Sequence, residues 1–200
     1  MVTFLPCSDQ TPADWIATSE VNWWSVVTLG PPGFGTYARL RFIPDPAYEG
    51  QTENEVAGMY NVPSDTDQLR LAVKTLLQHA SPIVDGYVLL WDGWGEDAFP
   101  EAVLRTPRVV LPNREYYLCK VSLAGFVSGI VENAWQAETN RPMPLPSFIW
   151  PSDQSWCITK DVDPHWAGIG GDQDLIEQLL AEHSLDVVPL ETNEILPFYS

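Results

Sequence analysis

The run Tyr87-Val88-Leu89-Leu90-Trp91 decides the fold, because it places five apolar residues in succession. A strand with one solvated face alternates apolar and polar residues, whereas an unbroken apolar run is typical of a strand covered on both faces. We therefore expect a central β-strand here, with other strands beside it. The remaining predicted strands lie at 37–43, 109–111, 115–121, 155–159 and 185–190, and residues 112–114 form a predicted hairpin turn.

Predicted helices are interspersed with these strands. Ser64 or Asp65 caps a predicted helix that runs to about His79, and Asp172 caps a second one that carries leucine and isoleucine on one face. A short helix begins at Thr11-Pro12, and residues 122–136 are also predicted to be helical, although two glycines weaken that prediction. Because strands and helices do not alternate strictly, we predict an α+β fold, with a mixed or mainly antiparallel sheet flanked by helices.

Two connections interrupt the periodic segments. Residues 44–64 show no periodicity and are predicted to form a long acidic loop, which in compact proteins is usually functional or disordered. Residues 141–151 are dense in proline and are predicted to form an extended connection. That connection is too short and too apolar to indicate a domain boundary, so we assign residues 1–200 to a single compact domain.

The charge balance restricts the class of partner. Twenty-seven acidic residues against ten basic ones give a formal net charge of −17. Six acids and no base lie between Asp45 and Asp67, and nine acids with no Lys or Arg lie from Asp161 onward. Nucleic acids and anionic membranes attract Lys and Arg, so the composition excludes both and favours a basic protein partner.

The same sequence predicts a cytoplasmic protein. No apolar stretch approaches the roughly 18 residues that a membrane helix needs, and the first residues lack a basic segment followed by an apolar run. Cys7, Cys119 and Cys157 form no CxxC motif and leave one thiol over in any disulfide scheme, so we expect reduced cysteines.

The first candidate site is the predicted loop Trp91-Asp92-Gly93-Trp94-Gly95-Glu96-Asp97. Indoles beside carboxylates can stack on a sugar or on a cationic side chain, and tryptophan is a common anchor at interfaces. If Asp92 faced Glu96 or Asp97 across a cleft, the pair would suit glycosidase acid/base chemistry. The alternative is a turn at the end of a strand, with its indoles packed inward.

The second candidate site is Asp161-Val162-Asp163-Pro164-His165-Trp166. On an extended chain Asp161, Asp163 and His165 project to one side, and two carboxylates with an imidazole are acceptable ligands for a divalent metal. A turn rich in aspartate and proline needs no metal. In a third interpretation, the two aspartates and Trp166 contact a protein partner.

Motifs for nucleotide binding or nucleophilic catalysis are incomplete. Gly168-Ile169-Gly170-Gly171 precedes a predicted helix but matches neither GxGxxG nor GxxxxGK[ST], so a tight turn with a helix cap explains it. The chain has no GxSxG, and Cys157 is predicted to be a small core residue. We therefore assign no catalytic residue and no cofactor.

Part of the chain resembles a known group of proteins. Residues 150–163, Trp166, residues 168–171 and Leu175-Ile176 resemble a C-terminal pattern of small acidic actinobacterial proteins of unknown function, and Tyr37-Ala38-Arg39 is similar to an earlier strand of that group. The resemblance implies a cytosolic protein of bacterial or phage origin. The group has no established catalytic residues, so it transfers none.

Three functional hypotheses follow from the sequence. The favoured one is an acidic, non-catalytic protein that binds a basic partner, most concretely an immunity or inhibitor protein that neutralises a toxin or nuclease. Its predicted contacts are Trp91, Asp92, Trp94, Glu96, Asp97, Asp161, Asp163 and Trp166. The second is a metal- or ligand-dependent enzyme that uses Asp161, Asp163 and His165 or the loop at 91–97. The third is a DNA mimic in which carboxylates replace phosphates.

Overall fold

The computed structural model describes residues 4–56, 59, 62–79, 85–190 and 196–200. The helices are α1 (Asp14–Ala17), α2 (Trp23–Thr28), α3 (Glu53–Val56), α4 (Asp65–His79), α5 (Glu101–Leu104), α6 (Leu123–Val127), α7 (Ile130–Thr139) and α8 (Gln173–Leu180). The strands are β1 (Phe4–Pro6), β2 (Thr36–Arg41), β3 (Asp85–Trp91), β4 (Arg108–Leu111), β5 (Arg114–Ser122), β6 (Phe148–Pro151), β7 (Cys157–Thr159), β8 (Trp166–Gly171) and β9 (Val187–Pro189). Short 3₁₀ turns lie at Thr11–Ala13, Asp92–Trp94 and Glu96–Ala98.

These strands form one antiparallel sheet in the order β1-β5-β3-β6-β7-β8-β2-β9, and β4 also pairs with β5. The predicted α+β class and the mainly antiparallel sheet are confirmed. Strand β3 lies between β5 and β6, as its unbroken apolar run predicts. None of the helices in the described ranges is long and apolar enough to cross a membrane.

Both faces of the sheet are buried. Val88 and Leu90 of β3 belong to one core cluster, together with side chains of α4, α6, α7 and α8. Leu89, which points to the opposite face because strand side chains alternate, belongs to a second cluster with side chains of α1 and α2. The two cores explain why the sequence of β3 shows no polar alternation.

Two local predictions need correction. The single helix predicted over 122–136 is two helices, α6 and α7, because Gly129 adopts a left-handed φ of 75° between them. Residues 168–171, predicted as a tight turn, belong to strand β8. Asp172 does cap the following helix as predicted, since its carboxylate accepts a hydrogen bond from the Leu175 amide at 2.8 Å.

The two predicted connections are also more ordered than the sequence indicates. The acidic loop at 44–64 contains the short helix α3 within its described residues. The proline-rich connection 141–151 ends at Ser147, because residues 148–151 form β6 in the middle of the sheet. Proline at 151 is tolerated there because β7 pairs only with Phe148 and Ile149, so Pro151 has a neighbouring strand on one side only.

One end of the sheet carries both candidate sites. In an antiparallel sheet, the end of one strand lies beside the start of its neighbour. Accordingly, β3 ends where β5 and β6 begin, and β7 ends near the start of β8. Residues 91–97, hereafter the tryptophan loop, and residues 161–166, hereafter the aspartate bend, therefore meet at this end.

Candidate functional site

Arg114 joins the tryptophan loop to the aspartate bend. Its guanidinium carbon lies 4.9 Å from the ring centroid of Trp91 and 5.8 Å from that of Trp23. Its Nε lies 3.4 Å from Oδ1 of Asp161, and its Nη2 lies 3.6 Å from Oδ2 of Asp163. Stacking on indoles and pairing with carboxylates both stabilise a guanidinium, so this one side chain holds the two segments together.

The two indoles of the tryptophan loop differ in exposure. Trp91 is half-buried under Arg114, whereas the side chain of Trp94 is 48% exposed. Their rings meet edge to face, with centroids 6.0 Å apart. Trp94 thus presents a large apolar surface to solvent, supported from behind by a neighbouring ring.

The carboxylates of this loop bind separate arginines. Oδ2 of Asp92 lies 3.3 Å from Nε of Arg108, and Oδ2 of Asp97 lies 3.2 Å from Nη2 of Arg141. Glu96 is exposed in the short 3₁₀ turn that follows Trp94. This arrangement gives no support to a facing pair of carboxyl groups for glycosidase chemistry.

The aspartate bend separates the three proposed metal ligands. It is a bend and not an extended strand, so its side chains do not share one side. Asp161 and Asp163 both turn to Arg114, while Nε2 of His165 lies 2.9 Å from Oδ1 of Asp45. Across the described ranges, no three His, Cys, Asp or Glu side chains are grouped so that they would hold a metal ion.

Two predicted partner contacts lie in the interior. Trp166 is fully buried, with its ring below the guanidinium of Arg39 and against His165 and Phe198. Asp161 is only 4% exposed, because Arg114 draws it inward. The structure therefore places both of these predicted contacts below the surface, where they position their neighbours.

Asp45, near the start of the predicted acidic loop at 44–64, binds three partners. Its oxygens lie 3.0 Å from Nη1 of Arg39, 2.8 Å from Nη1 of Arg41 and 2.9 Å from Nε2 of His165. Burial raises the pKa of Asp45, but the hydrogen bonds from Arg39, Arg41 and His165 outweigh it and lower that pKa to about 2. Burial lowers the pKa of His165, and the bond to Asp45 opposes this effect. Two arginines at alternate positions of a predicted strand, just before an acid, are a sequence signal for such a cluster.

The low pKa of Asp45 predicts a specific loss of stability in acid. A carboxyl whose pKa falls on folding contributes stability above its unfolded value near 3.8, and this contribution disappears as the pH falls to about 2. We therefore expect the Asp45 carboxyl carbon, followed by ¹³C NMR, to titrate near pH 2, with the urea midpoint of unfolding falling between about pH 4 and 2. A titration midpoint at or above 3.8 would contradict the assigned bonds.

A cavity of about 170 Å³ opens beside Trp94. Its lining combines apolar, acidic and basic residues: Asp65, Trp94, Leu145, Ser147, Lys160, Asp161 and Val162. Lys160 is 9% exposed, and its Nζ donates to the carbonyl oxygens of Asp161 at 2.6 Å and Pro164 at 2.7 Å. Burial lowers the pKa of Lys160, against the raising effect of the surrounding carboxylates.

Exposed apolar and acidic side chains continue around this cavity. Val162 lines both the cavity and a neighbouring groove of about 520 Å³. The exposed apolar side chains are Trp94, Val162 and Phe198, and the carboxylates around them are those of Glu53, Asp65, Glu96 and Asp163. We call these seven residues the aromatic–acidic face.

No protein-family model, curated protein or solved structure matches this chain.

Proposed function

We propose that this chain is an acidic, non-catalytic module that binds a basic protein through the aromatic–acidic face. The most concrete form is an immunity or inhibitor protein that neutralises a basic toxin or nuclease. The observation that carries the proposal is the half-exposed indole of Trp94 among solvent-exposed carboxylates. The cations that border the face, Arg114 and Lys160, are largely buried and leave its surface negative.

The carboxylates and the exposed tryptophan of the aromatic–acidic face act at different stages of binding. Carboxylates on a chain with a net charge of −17 attract a basic protein over long distances and accelerate encounter. A tryptophan that becomes desolvated on contact slows dissociation, because burial of its ring contributes most in the centre of an interface. Neither component requires a reacting group.

The other two hypotheses have weaker support. A metal-dependent enzyme would need Asp161, Asp163 and His165 to converge, whereas the two aspartates pair with Arg114 and His165 pairs with Asp45. A DNA mimic would need rows of carboxylates, and the exposed apolar side chains of Trp94 and Phe198 add nothing to such a surface. Apolar anchors within an acidic rim favour recognition of a protein.

Affinity capture from the lysate of the source cell tests the proposal. The immobilised chain is expected to retain one basic protein in stoichiometric amount, with retention falling as salt is raised from about 0.05 to 0.5 M. Trp94→Ala is expected to reduce retention at least tenfold, since an anchor at an interface contributes about 2 kcal/mol or more.

Leu5→Ala is the matched control, because Leu5 is equally exposed but lies on β1, at the opposite end of β5 from Arg114. It is expected to capture as much partner as the unmodified chain. Absence of a stoichiometric basic protein at both low and physiological salt would overturn the proposal. Equal capture by Trp94→Ala and Leu5→Ala would exclude the aromatic–acidic face as its site.

A further inference from the structure

One arrangement of three side chains recurs inside this protein. In each case an arginine guanidinium lies over an aromatic ring and also pairs with a carboxylate. The sets are Arg39 with Trp166 and Asp45, Arg108 with Tyr117 and Asp92, and Arg114 with Trp91 and Asp161. The guanidinium carbon lies between 4.9 and 5.3 Å from the ring centroid in all three.

A fourth ring and carboxylate lie together without an arginine. Trp94 and Asp65 line the same cavity of about 170 Å³, and the indole is half-exposed. All ten Lys and Arg residues of the chain lie in its described ranges, and none of them comes within ion-pair distance of Asp65. The cavity therefore contains two of the three members of the recurring set.

We propose that the cavity between Trp94 and Asp65 receives an arginine side chain of the basic partner, an inference that rests on the proposed function. A guanidinium there would stack on the exposed indole and form a forked hydrogen bond with the Asp65 carboxylate. Its aliphatic stem would pack against Leu145 and Val162, which line the same cavity. Arginine suits this site better than lysine, because only its planar head satisfies a ring face and a carboxylate together.

The buried Lys160 does not exclude a second cation. Its Nζ is already bonded to two backbone carbonyl oxygens. Four carboxylates surround Lys160, and Arg114 is the second base among them. The four negative charges therefore exceed the two positive charges of Lys160 and Arg114 by two. The four carboxylates are those of Glu53, Asp65, Asp161 and Asp163.

Binding of small probes tests the site without the partner. N-acetyl-argininamide, added to ¹⁵N-labelled protein, is expected to shift the Trp94 indole resonance saturably at millimolar concentration; Trp94→Phe assigns that resonance. The neutral isostere N-acetyl-citrullinamide is expected to give no saturable shift, and N-acetyl-lysinamide to bind several-fold more weakly.

Two variants distinguish binding of the probe in the cavity from its attraction by the overall negative charge. Asp65→Asn is expected to weaken the arginine probe at least tenfold. Asp153→Asn is the control, because it removes the same charge at a distance from the cavity. Ser147, which lines the cavity, precedes β6, whereas Asp153 follows the other end of that strand, so binding is expected to be unchanged. Equal shifts with the citrulline probe, or undiminished binding to Asp65→Asn, would overturn the inference.

The two proposals fail in different ways. If a basic protein is captured through Trp94 but equally well by Asp65→Asn, the arginine cavity is wrong and the proposed function stands. If the arginine probe binds as expected but no basic protein is captured, the cavity is a guanidinium site and the proposed function is wrong.

Discussion

Replacement of Asp45 by alanine is expected to lower the free energy of unfolding by about 3–5 kcal/mol, because it leaves the buried guanidinium of Arg39 without its counterion. The side chain of Arg39 is 3% exposed, and Asp45 is its carboxylate partner. His165 also loses the oxygen that its Nε2 faces. Urea unfolding at pH 7, followed by tryptophan fluorescence, measures the loss.

Asp163→Ala is the control for this prediction. Its carboxylate also pairs with an arginine, but its side chain is 63% exposed, and exposed pairs contribute little. We expect a change within about 0.5 kcal/mol. Asp45→Asn retains one acceptor oxygen, so its loss of stability should lie between those of Asp45→Ala and Asp163→Ala. This variant keeps the comparison measurable if Asp45→Ala does not fold. A loss below about 1 kcal/mol for Asp45→Ala would show that the arginines find other partners.

The importance of Asp45 extends to the aromatic–acidic face. It fixes His165, the ring of which packs against Trp166 at 4.9 Å and Tyr199 at 4.8 Å. The hydroxyl of Tyr199 in turn donates to the carbonyl oxygen of Pro44 at 2.6 Å. The buried ion cluster thus orders both the end of the aspartate bend and the segment that carries Phe198.

The sequence predicts the centre of the sheet well, because burial of both faces leaves a local signature. The apolar run of β3 needs no knowledge of its neighbours to indicate a central strand. Strand β8 has no such signature, since three of its six residues are glycine, which is depleted in strands. Close packing explains Gly168, where an added Cβ would clash with the backbone of Thr28 and Leu29, and a single sequence does not contain that information.

The candidate site, like the sheet, is only partly predictable from the sequence. The tryptophan loop and the aspartate bend are each recognisable from composition, and their proximity follows from the order of antiparallel strands. Arg114 was missed because its partner Asp161 lies 47 residues away. The burial of Trp166 and Asp161 is not predictable from the sequence, because residue type does not show whether a neighbouring arginine draws a side chain inward.

Gly168→Ala is the second prediction with a large effect, a loss of about 3 kcal/mol in the free energy of unfolding. A Cβ at this position would lie 2.6 Å from the carbonyl oxygens of both Thr28 and Leu29. These are backbone atoms at the end of α2, so the clash cannot be relieved by rotation of a side chain. Either β8 or α2 must shift, and β8 is held between β7 and β2.

Gly171→Ala provides a control within the same strand. The nearest atoms to its added Cβ are side-chain carbons of Ile176 and Trp156, at 3.6 and 3.7 Å, which is ordinary van der Waals contact. We expect its free energy of unfolding to stay within about 1 kcal/mol of that of the unmodified chain, whereas Gly168→Ala unfolds at much lower urea concentration or accumulates as insoluble protein. Because both substitutions change strand propensity equally, equal losses at the two positions would mean that α2 does not lie against β8 at Gly168.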